Sequence, residues 1–125
     1  MGSYKFGGNF TAALGVTDWE RAKKFYGETL GLKQLFSADG MKWIEYSTGV
    51  ENATIGVGAT DKPVTPGGAC PCLGVTDIEA AKADLEAKGV KFAGDIMTVQ
   101  NMVKLATFHD PDGNMLMLAQ MLVQP

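Results

Sequence analysis

Apolar positions along this chain form a strand-like run followed by a run with helical spacing, and this order occurs twice. Strands are predicted at residues 10–16 and 69–75. Each leads into Thr-Asp, and Asp18 and Asp77 are good N-caps because an aspartate side chain accepts a hydrogen bond from the first turn of a helix. A helix is therefore expected to begin at each aspartate.

Glycines and further strand signals follow each predicted helix. Gly31 and Gly89 are plausible left-handed terminators. In the first half, LKQLF and MKWIEYS flank SADG, whose Asp39-Gly40 pair is a strong hairpin signal, and ATIGVGA is typical of another strand. The strands predicted in the second half are residues 90–92, 103–108 and 115–122. Residues 94–102 are assigned only to an irregular strand and loop.

The two halves are copies of one unit. LGVTDWERAK at residues 14–23 returns as LGVTDIEAAK at residues 73–82, with eight of ten letters identical. Each copy predicts the order β-α-β-β-β. We therefore expect one α+β domain over residues 1–125, built from a first module (9–60), a linker (61–68) rich in proline and glycine, and a second module (69–123).

Composition narrows the range of partners. The chain has 125 residues, 20% of them charged, and a formal charge of −3, so nucleic acid and anionic membranes are not expected partners. No apolar run approaches a membrane span, and the start lacks the order of a signal peptide, which favours a cytoplasmic protein. Cys70 and Cys72 are separated only by Pro71, so an extended strand would put both thiols on one face, in poor position to form a disulfide.

Three features together are typical of one known family: the paired modules, the stretch VTDWERAKKFYGETLGLK, and FHDPDGN before the last strand. In these features the chain resembles the vicinal oxygen chelate superfamily, which includes glyoxalase I, bleomycin-resistance proteins and extradiol dioxygenases. The resemblance covers essentially the whole chain. It implies two βαβββ modules whose mixed sheets curl into a cup, a small-molecule ligand in that cup, and a homodimer. In the metal enzymes of such a family, histidine, glutamine or glutamate ligands come from four strands inside the cup.

The resemblance assigns the four ligand positions to Thr11, Gly56, Cys70 and Met117. None of them is a histidine, aspartate or glutamate. A divalent ion that acts as a Lewis acid needs imidazole or carboxylate ligands, which a hydroxyl, a bare Cα, a thiol and a thioether do not replace. We therefore expect no metal site of the usual kind and no cofactor.

Other candidates have simpler structural readings. His109 is the only histidine and is expected at a surface turn, and Asp110 and Asp112 are expected to support that turn rather than to act as an acid pair. Trp43 and Glu45 alternate with Ile44 on strand MKWIEYS, and the sequence leaves open which face lines the cup.

The two cysteines also have two interpretations. Both thiols are expected to behave as small buried hydrophobes, as cysteine commonly does. A sharper interpretation joins Cys70, Cys72 and Met117 in a soft sulfur site.

Three functions remain open at the level of sequence. The first is a metal-free binding protein of the bleomycin-resistance type, which holds an apolar or aromatic molecule in the cup. The second is a divergent glyoxalase-like lyase or isomerase, or a dioxygenase-like enzyme, that uses Glu45 or Cys70 without the usual ion. The third is a soft-metal binder through the three sulfur residues.

Overall fold

The chain forms two four-stranded mixed sheets, and each is accompanied by a helix. This computed structural model describes residue 7 and residues 9–61 and 69–122. The first half contains β1 (Phe10–Val16), α1 (Trp19–Lys23) continued by a π-helical segment (Lys24–Thr29), β2 (Gln34–Ala38), β3 (Trp43–Ser47) and β4 (Ala53–Ala59). The second half contains β5 (Cys72–Gly74), α2 (Ile78–Ala87), β6 (Met97–Val99), β7 (Val103–His109) and β8 (Met115–Met121).

Both sheets have the same strand order and the same mixture of directions. The orders are β1-β4-β3-β2 and β5-β8-β7-β6. The outer pairs β1/β4 and β5/β8 are parallel, and the other neighbours are antiparallel. Ala13 faces Gly56 in the first sheet, and Cys72 faces Met117 in the second. The α+β prediction with two βαβββ units is confirmed, and the duplicated sequence is reflected in a duplicated register.

The helix boundaries follow from the caps that the sequence predicts. Asp18 accepts a hydrogen bond from the backbone N–H of Arg21 at 3.0 Å, and Asp77 accepts one from Ala80 at 3.1 Å. These bonds satisfy donors that have no partner within the helix. The glycine after each helix has a positive φ, +74° at Gly31 and +95° at Gly89, which is the left-handed conformation expected of a terminator.

Three strand predictions need correction. The strand expected at residues 69–75 is only Cys72–Gly74, since Pro71 has no N–H to donate to a ladder. The strand expected at residues 90–92 is reduced to an isolated bridge at Phe92, and the regular strand β6 lies in the stretch read as irregular. Gly94 separates the two with a φ of +89°, a bend that a continuous strand would not contain.

The hairpin signal at Asp39-Gly40 is correct in place and wrong in detail. Residues Asp39–Met41 form a single 3₁₀ turn between β2 and β3. The left-handed residue of this connection is Lys42, at φ 51°, rather than the glycine. The predicted linker, 61–68, lies outside the described residues except for Asp61.

The burial of side chains shows which face of a sheet packs into the core. On β3, Ile44 and Tyr46 are 1% and 2% exposed and belong to the core shared by the two halves, together with Tyr26 and Phe108. Trp43 and Glu45 therefore point to the opposite side, because side chains alternate along a strand. We call the side away from the core the open face of each sheet.

Two aspartates of the β7–β8 turn fix the second half to the first. Asp110 is buried and accepts a hydrogen bond from the Tyr26 hydroxyl at 2.8 Å. Asp112 accepts two hydrogen bonds from Thr17, at 2.7 and 2.6 Å, and one from the Arg21 guanidinium at 3.1 Å. The turn predicted to support only itself also joins the two modules.

None of the helices in the described ranges is long and apolar enough to cross a membrane.

Candidate functional site

The open face of the first sheet carries an indole ring laid on bare backbone. A Cβ built on Gly56 would lie 2.1 Å from Cζ2 of Trp43, and one on Gly58 would lie 2.8 Å from its Cε3. Such distances are far below van der Waals contact, so the ring occupies space that any side chain at Gly56 would need. Glycine at this position makes the strand flat enough to seat the tryptophan.

Glu45 is held beside this ring by two donors. The Trp43 Nε1–H donates to Oε2 of Glu45 at 3.0 Å, and the Thr54 hydroxyl donates to Oε1 at 3.0 Å. The hydroxyls of Thr11 and Thr54 are 2.7 Å apart. Because the single proton of Thr54 is directed to Glu45, Thr11 is the donor in that pair. The carboxylate is thereby fixed in one position at the end of a chain of hydroxyls.

The strand register explains why these residues meet. Thr11 faces Thr54 across the parallel pair β1/β4, and Glu45 faces Gly56 across the antiparallel pair β3/β4. The hairpin strands β3 and β4 and the distant strand β1 therefore place their open-face side chains within hydrogen-bond reach. Sequence reasoning singled out Thr11, Trp43, Glu45 and Gly56 and missed Thr54. The available signal was that Thr54 lies two residues before Gly56, on the same face of one strand.

The remaining predicted residues lie on the second sheet and form a sulfur cluster. The Cys72 Sγ is 3.8 Å from the Met117 Sδ, within hydrogen-bond distance for sulfur. Burial raises the pKa of the Cys70 thiol, and the adjacent Cys72 raises it further. The expectation that both thiols are buried is wrong, since Cys70 is half-buried and Cys72 is exposed. The β5/β8 pair is the edge of its sheet, and in the described residues it leaves this thiol open to solvent.

A cleft lies where the two halves meet and touches residues from both groups. Its volume is about 280 Å³. Thr54 borders it from the first sheet, and Cys70 and Cys72 border it from the second. Phe10 and Leu73 contribute apolar walls. The seven predicted site residues thus form two clusters, and of these seven only Cys70 and Cys72 border the cleft.

The resemblance assigns four positions to the ligands of a metal enzyme. The side chains at these positions do not suit a divalent ion. Gly56 has no donor atom and lies under the Trp43 ring, and the Thr11 hydroxyl is engaged by Thr54. Cys70 and Met117 offer soft sulfur in place of imidazole or carboxylate. Within residues 9–61 and 69–122, no group of three histidine, cysteine, aspartate or glutamate side chains is placed to hold a metal.

The side chains considered for catalysis either accept hydrogen bonds within the fold or, in the case of the Cys70 thiol, have a raised pKa. Both oxygens of Glu45 accept hydrogen bonds, and the raised pKa of Cys70 keeps its thiol protonated near neutral pH. His109 is exposed at the end of β7, as expected for a residue before a turn. Asp110 accepts hydrogen bonds from four donors on three residues, which marks it as a structural carboxylate.

Comparison with known proteins agrees with this architecture. The sequence model of the Glyoxalase/Bleomycin resistance protein/Dioxygenase superfamily matches residues 10–118. None of the curated proteins compared with the chain matches it.

Three solved structures are similar over nearly the full chain. TnmS3, an antibiotic binding protein from Streptomyces sp. CB03234, has 26% identity and a TM-score of 0.78, with 94% of this chain and 98% of that chain covered. A member of the same superfamily from Sphaerobacter thermophilus has 25% identity and a TM-score of 0.78, covering 92% of this chain and 98% of that chain. An integron cassette protein from the Halifax Harbour sewage outfall metagenome shares the fold at 22% identity, with a TM-score of 0.79 and coverage of 93% and 100%.

The family match extends from the first residue of β1 into β8 and includes both duplicated units. Together with the two mixed sheets, this shows that the chain belongs to the glyoxalase/bleomycin resistance protein/dioxygenase superfamily.

Proposed function

We propose that this protein binds a small aromatic molecule on the open face of its first sheet, without a divalent metal ion and without changing the ligand chemically. The observation that carries the proposal is the Trp43 ring seated on Gly56 and Gly58. A fixed indole offers a flat surface of large area at little cost in conformational entropy, which suits stacking against another aromatic system.

The charge beside the ring selects among aromatic ligands. Glu45 forms an ion pair with no lysine or arginine of the described residues, and its two bonded oxygens retain further acceptor capacity. A half-buried carboxylate without a cationic neighbour favours a ligand that brings a positive charge. We therefore expect an aromatic cation or amine to bind more tightly than a neutral aromatic of the same shape.

The similarity to TnmS3 supports a binding role, since that protein is an antibiotic binding protein. The soft residues on the second sheet support it as well, because thioethers adapt to ligands of irregular shape. We assign Cys70, Cys72 and Met117 to the far wall of the ligand site. The cleft of about 280 Å³ that Thr54, Cys70 and Cys72 border is close to the lower size limit of small-molecule pockets.

We also propose that the functional protein is a homodimer. Large apolar side chains are exposed in the described part of the chain, with Phe10 at 68%, Met97 at 62% and Met121 at 57%. Pairing of two copies would remove such surface from water. Sedimentation equilibrium over a range of protein concentrations should give twice the mass of one chain, and a monomer at all concentrations would contradict this.

Fluorescence titration tests the ligand proposal directly. The chain has two tryptophans, and Trp19→Phe leaves Trp43 as the single reporter. This change should be tolerated because the Trp19 Nε1–H is buried without a hydrogen-bond partner, and a phenyl ring can still lie under the Lys23 ammonium. The probes are acridine and 9-aminoacridine, which have the same ring system and differ in charge at neutral pH.

The expected result is quenching of Trp43 by both probes, with the cationic probe binding more tightly. Glu45→Gln should abolish the difference between the two probes, whereas Glu51→Gln, an exposed control, should preserve it. If neither probe changes Trp43 emission at millimolar concentration, or if Glu45→Gln and Glu51→Gln behave alike, the proposed site is wrong.

A further inference from the structure

The sulfur cluster on the second sheet has a geometry that ligand binding by stacking does not require. Cys72 and Met117 face each other across the parallel pair β5/β8, and their sulfur atoms are 3.8 Å apart. The backbone N–H of Met117 donates to the Pro71 carbonyl at 2.9 Å, which extends this pairing by one residue beyond β5. The ladder therefore holds the backbones of Cys72 and Met117 side by side.

The third sulfur lies two residues earlier on the same extended segment. Alternation along that segment directs Cys70 to the same side as Cys72. The Cys72 Sγ lies 3.7 Å from the Cys70 carbonyl oxygen, so the side chain leans back toward its neighbour. The Cys70 Sγ lies 3.9 Å from the Pro71 carbonyl oxygen, beside the start of β5. Two cysteines of one extended segment and a methionine of the neighbouring strand thus lie at one edge of the sheet.

The chemistry of the donors selects the ion. Two thiolates and a thioether are soft ligands, which favour monovalent copper. Zinc sites in proteins are built from cysteine, histidine and carboxylate ligands in tetrahedral sets, and a thioether is not among them. Calcium and magnesium require oxygen donors. Only a thiophilic ion that accepts few ligands matches this set.

We propose that Cys70, Cys72 and Met117 form a three-sulfur site for one Cu(I) ion at the edge of the second sheet, in addition to their proposed place in the wall of the ligand site. Each thiol that becomes a ligand loses its proton to the solvent, and the copper stays monovalent.

The test is an anaerobic competition titration of the full-length reduced protein with Cu(I) and the chromophoric chelator bicinchoninate. The expected result is one Cu(I) per chain withheld from the chelator, with no comparable retention of Zn(II). X-ray absorption of the copper protein should show a first shell of sulfur scatterers only.

Variants separate the three ligands from their surroundings. Loss of an outer-shell partner costs a metal site about 10- to 100-fold in affinity, and loss of a direct ligand should cost at least as much. Met117→Leu and Cys72→Ser should each weaken copper binding by that amount or more. The matched control is Met121→Leu, which removes an exposed thioether from the same strand and should leave the affinity at the wild-type value.

Met117→Leu conserves side-chain volume, so it keeps the test valid if a serine variant fails to fold. Circular dichroism of each variant identifies such a failure. The proposal is overturned if the wild type surrenders its copper to the chelator, if Zn(II) is retained equally well, or if Met117→Leu and Met121→Leu have the same affinity. Stacking ligands do not enter this assay, so its outcome is independent of the Trp43 titration.

Discussion

The open faces of the two sheets have one backbone plan and opposite chemistry. In the first sheet, the position opposite Ala13 is Gly56, and the Trp43 ring fills the space above it. In the second sheet, the equivalent pair is Cys72 and Met117, whose sulfur atoms touch. One face is flat, hydrogen-bonded and aromatic, and the other is soft and rich in sulfur.

This difference shows where duplication conserves a module and where it allows change. The N-cap aspartates, the terminating glycines and the strand order are the same in both halves because they set backbone conformation. Open-face side chains do not support the core, so they can diverge without loss of the fold. In the described residues, the first open face carries an aromatic ring beside a carboxylate, and the second carries sulfur.

The largest expected effect comes from removing the hydrogen bonds by which Asp110 connects the two halves. Asp110→Ala would leave the Tyr26 hydroxyl and three N–H donors of Asp112 and Asn114 without their acceptor. Because such donors are costly when buried, we expect a loss of about 3 kcal/mol in the free energy of unfolding, measured with urea. Asp95→Ala, at an exposed position, is the control, and equal losses in the two variants would show that Asp110 does not join the halves.

The next largest effect is expected from replacing Gly56, which leaves room for the Trp43 ring on the first sheet. Gly56→Ala places a Cβ where Cζ2 of Trp43 lies, so the ring must leave its seat. We expect a loss of about 1 to 3 kcal/mol and a red shift of Trp43 emission in the Trp19→Phe background. Gly74→Ala is the matched control, since a Cβ there meets no atom within 4 Å. An unchanged emission spectrum in Gly56→Ala would mean that the ring does not rest on this strand.

A smaller effect concerns how the free energy of unfolding depends on pH through Asp112. Burial alone would raise the pKa of Asp112, but the hydrogen bonds from Thr17 and Arg21 outweigh it and hold the pKa below its ordinary value. Its stabilising contribution is therefore present above about pH 4, the pKa range of an unfolded aspartate, and is lost as the pH falls through the folded pKa.

Asp112→Asn should accordingly lower the free energy of unfolding by about 1 kcal/mol at pH 7, and by less at pH 3. The estimate is modest because the Arg21 partner is half exposed, at 47% of its side chain. Urea unfolding at both pH values measures the two differences. A difference that stays constant with pH would show that the ionised form of Asp112 contributes nothing.

The smallest expected effect is on the second face. Met117→Leu preserves volume at a half-buried position, so the free energy of unfolding should change by less than about 1.5 kcal/mol, as judged by thermal unfolding. A large loss would indicate that the sulfur contact with Cys72 supports the sheet itself. That result would make the second face a structural feature and narrow its contrast with the first.

The sequence by itself determined the repeated unit, the helix starts, the glycine terminators and the α+β class, because each depends on neighbours within a few residues or on a repeated pattern. Through the family resemblance it also predicted that the four metal-ligand positions carry no histidine, aspartate or glutamate. It placed strands poorly at 69–75 and 90–92, where Pro71 and the bend at Gly94 limit pairing.

Only the tertiary structure decided which face of β3 is open, because alternation gives two sets of side chains and burial against the core chooses between them. The hydroxyl pair of Thr11 and Thr54 and the contact of Cys72 with Met117 likewise depend on the register between strands far apart in the chain. So does the joint made by Asp110 and Asp112, which requires the second module to reach the first helix. Local sequence fixes local conformation, whereas side chains from distant strands meet only when the sheets form.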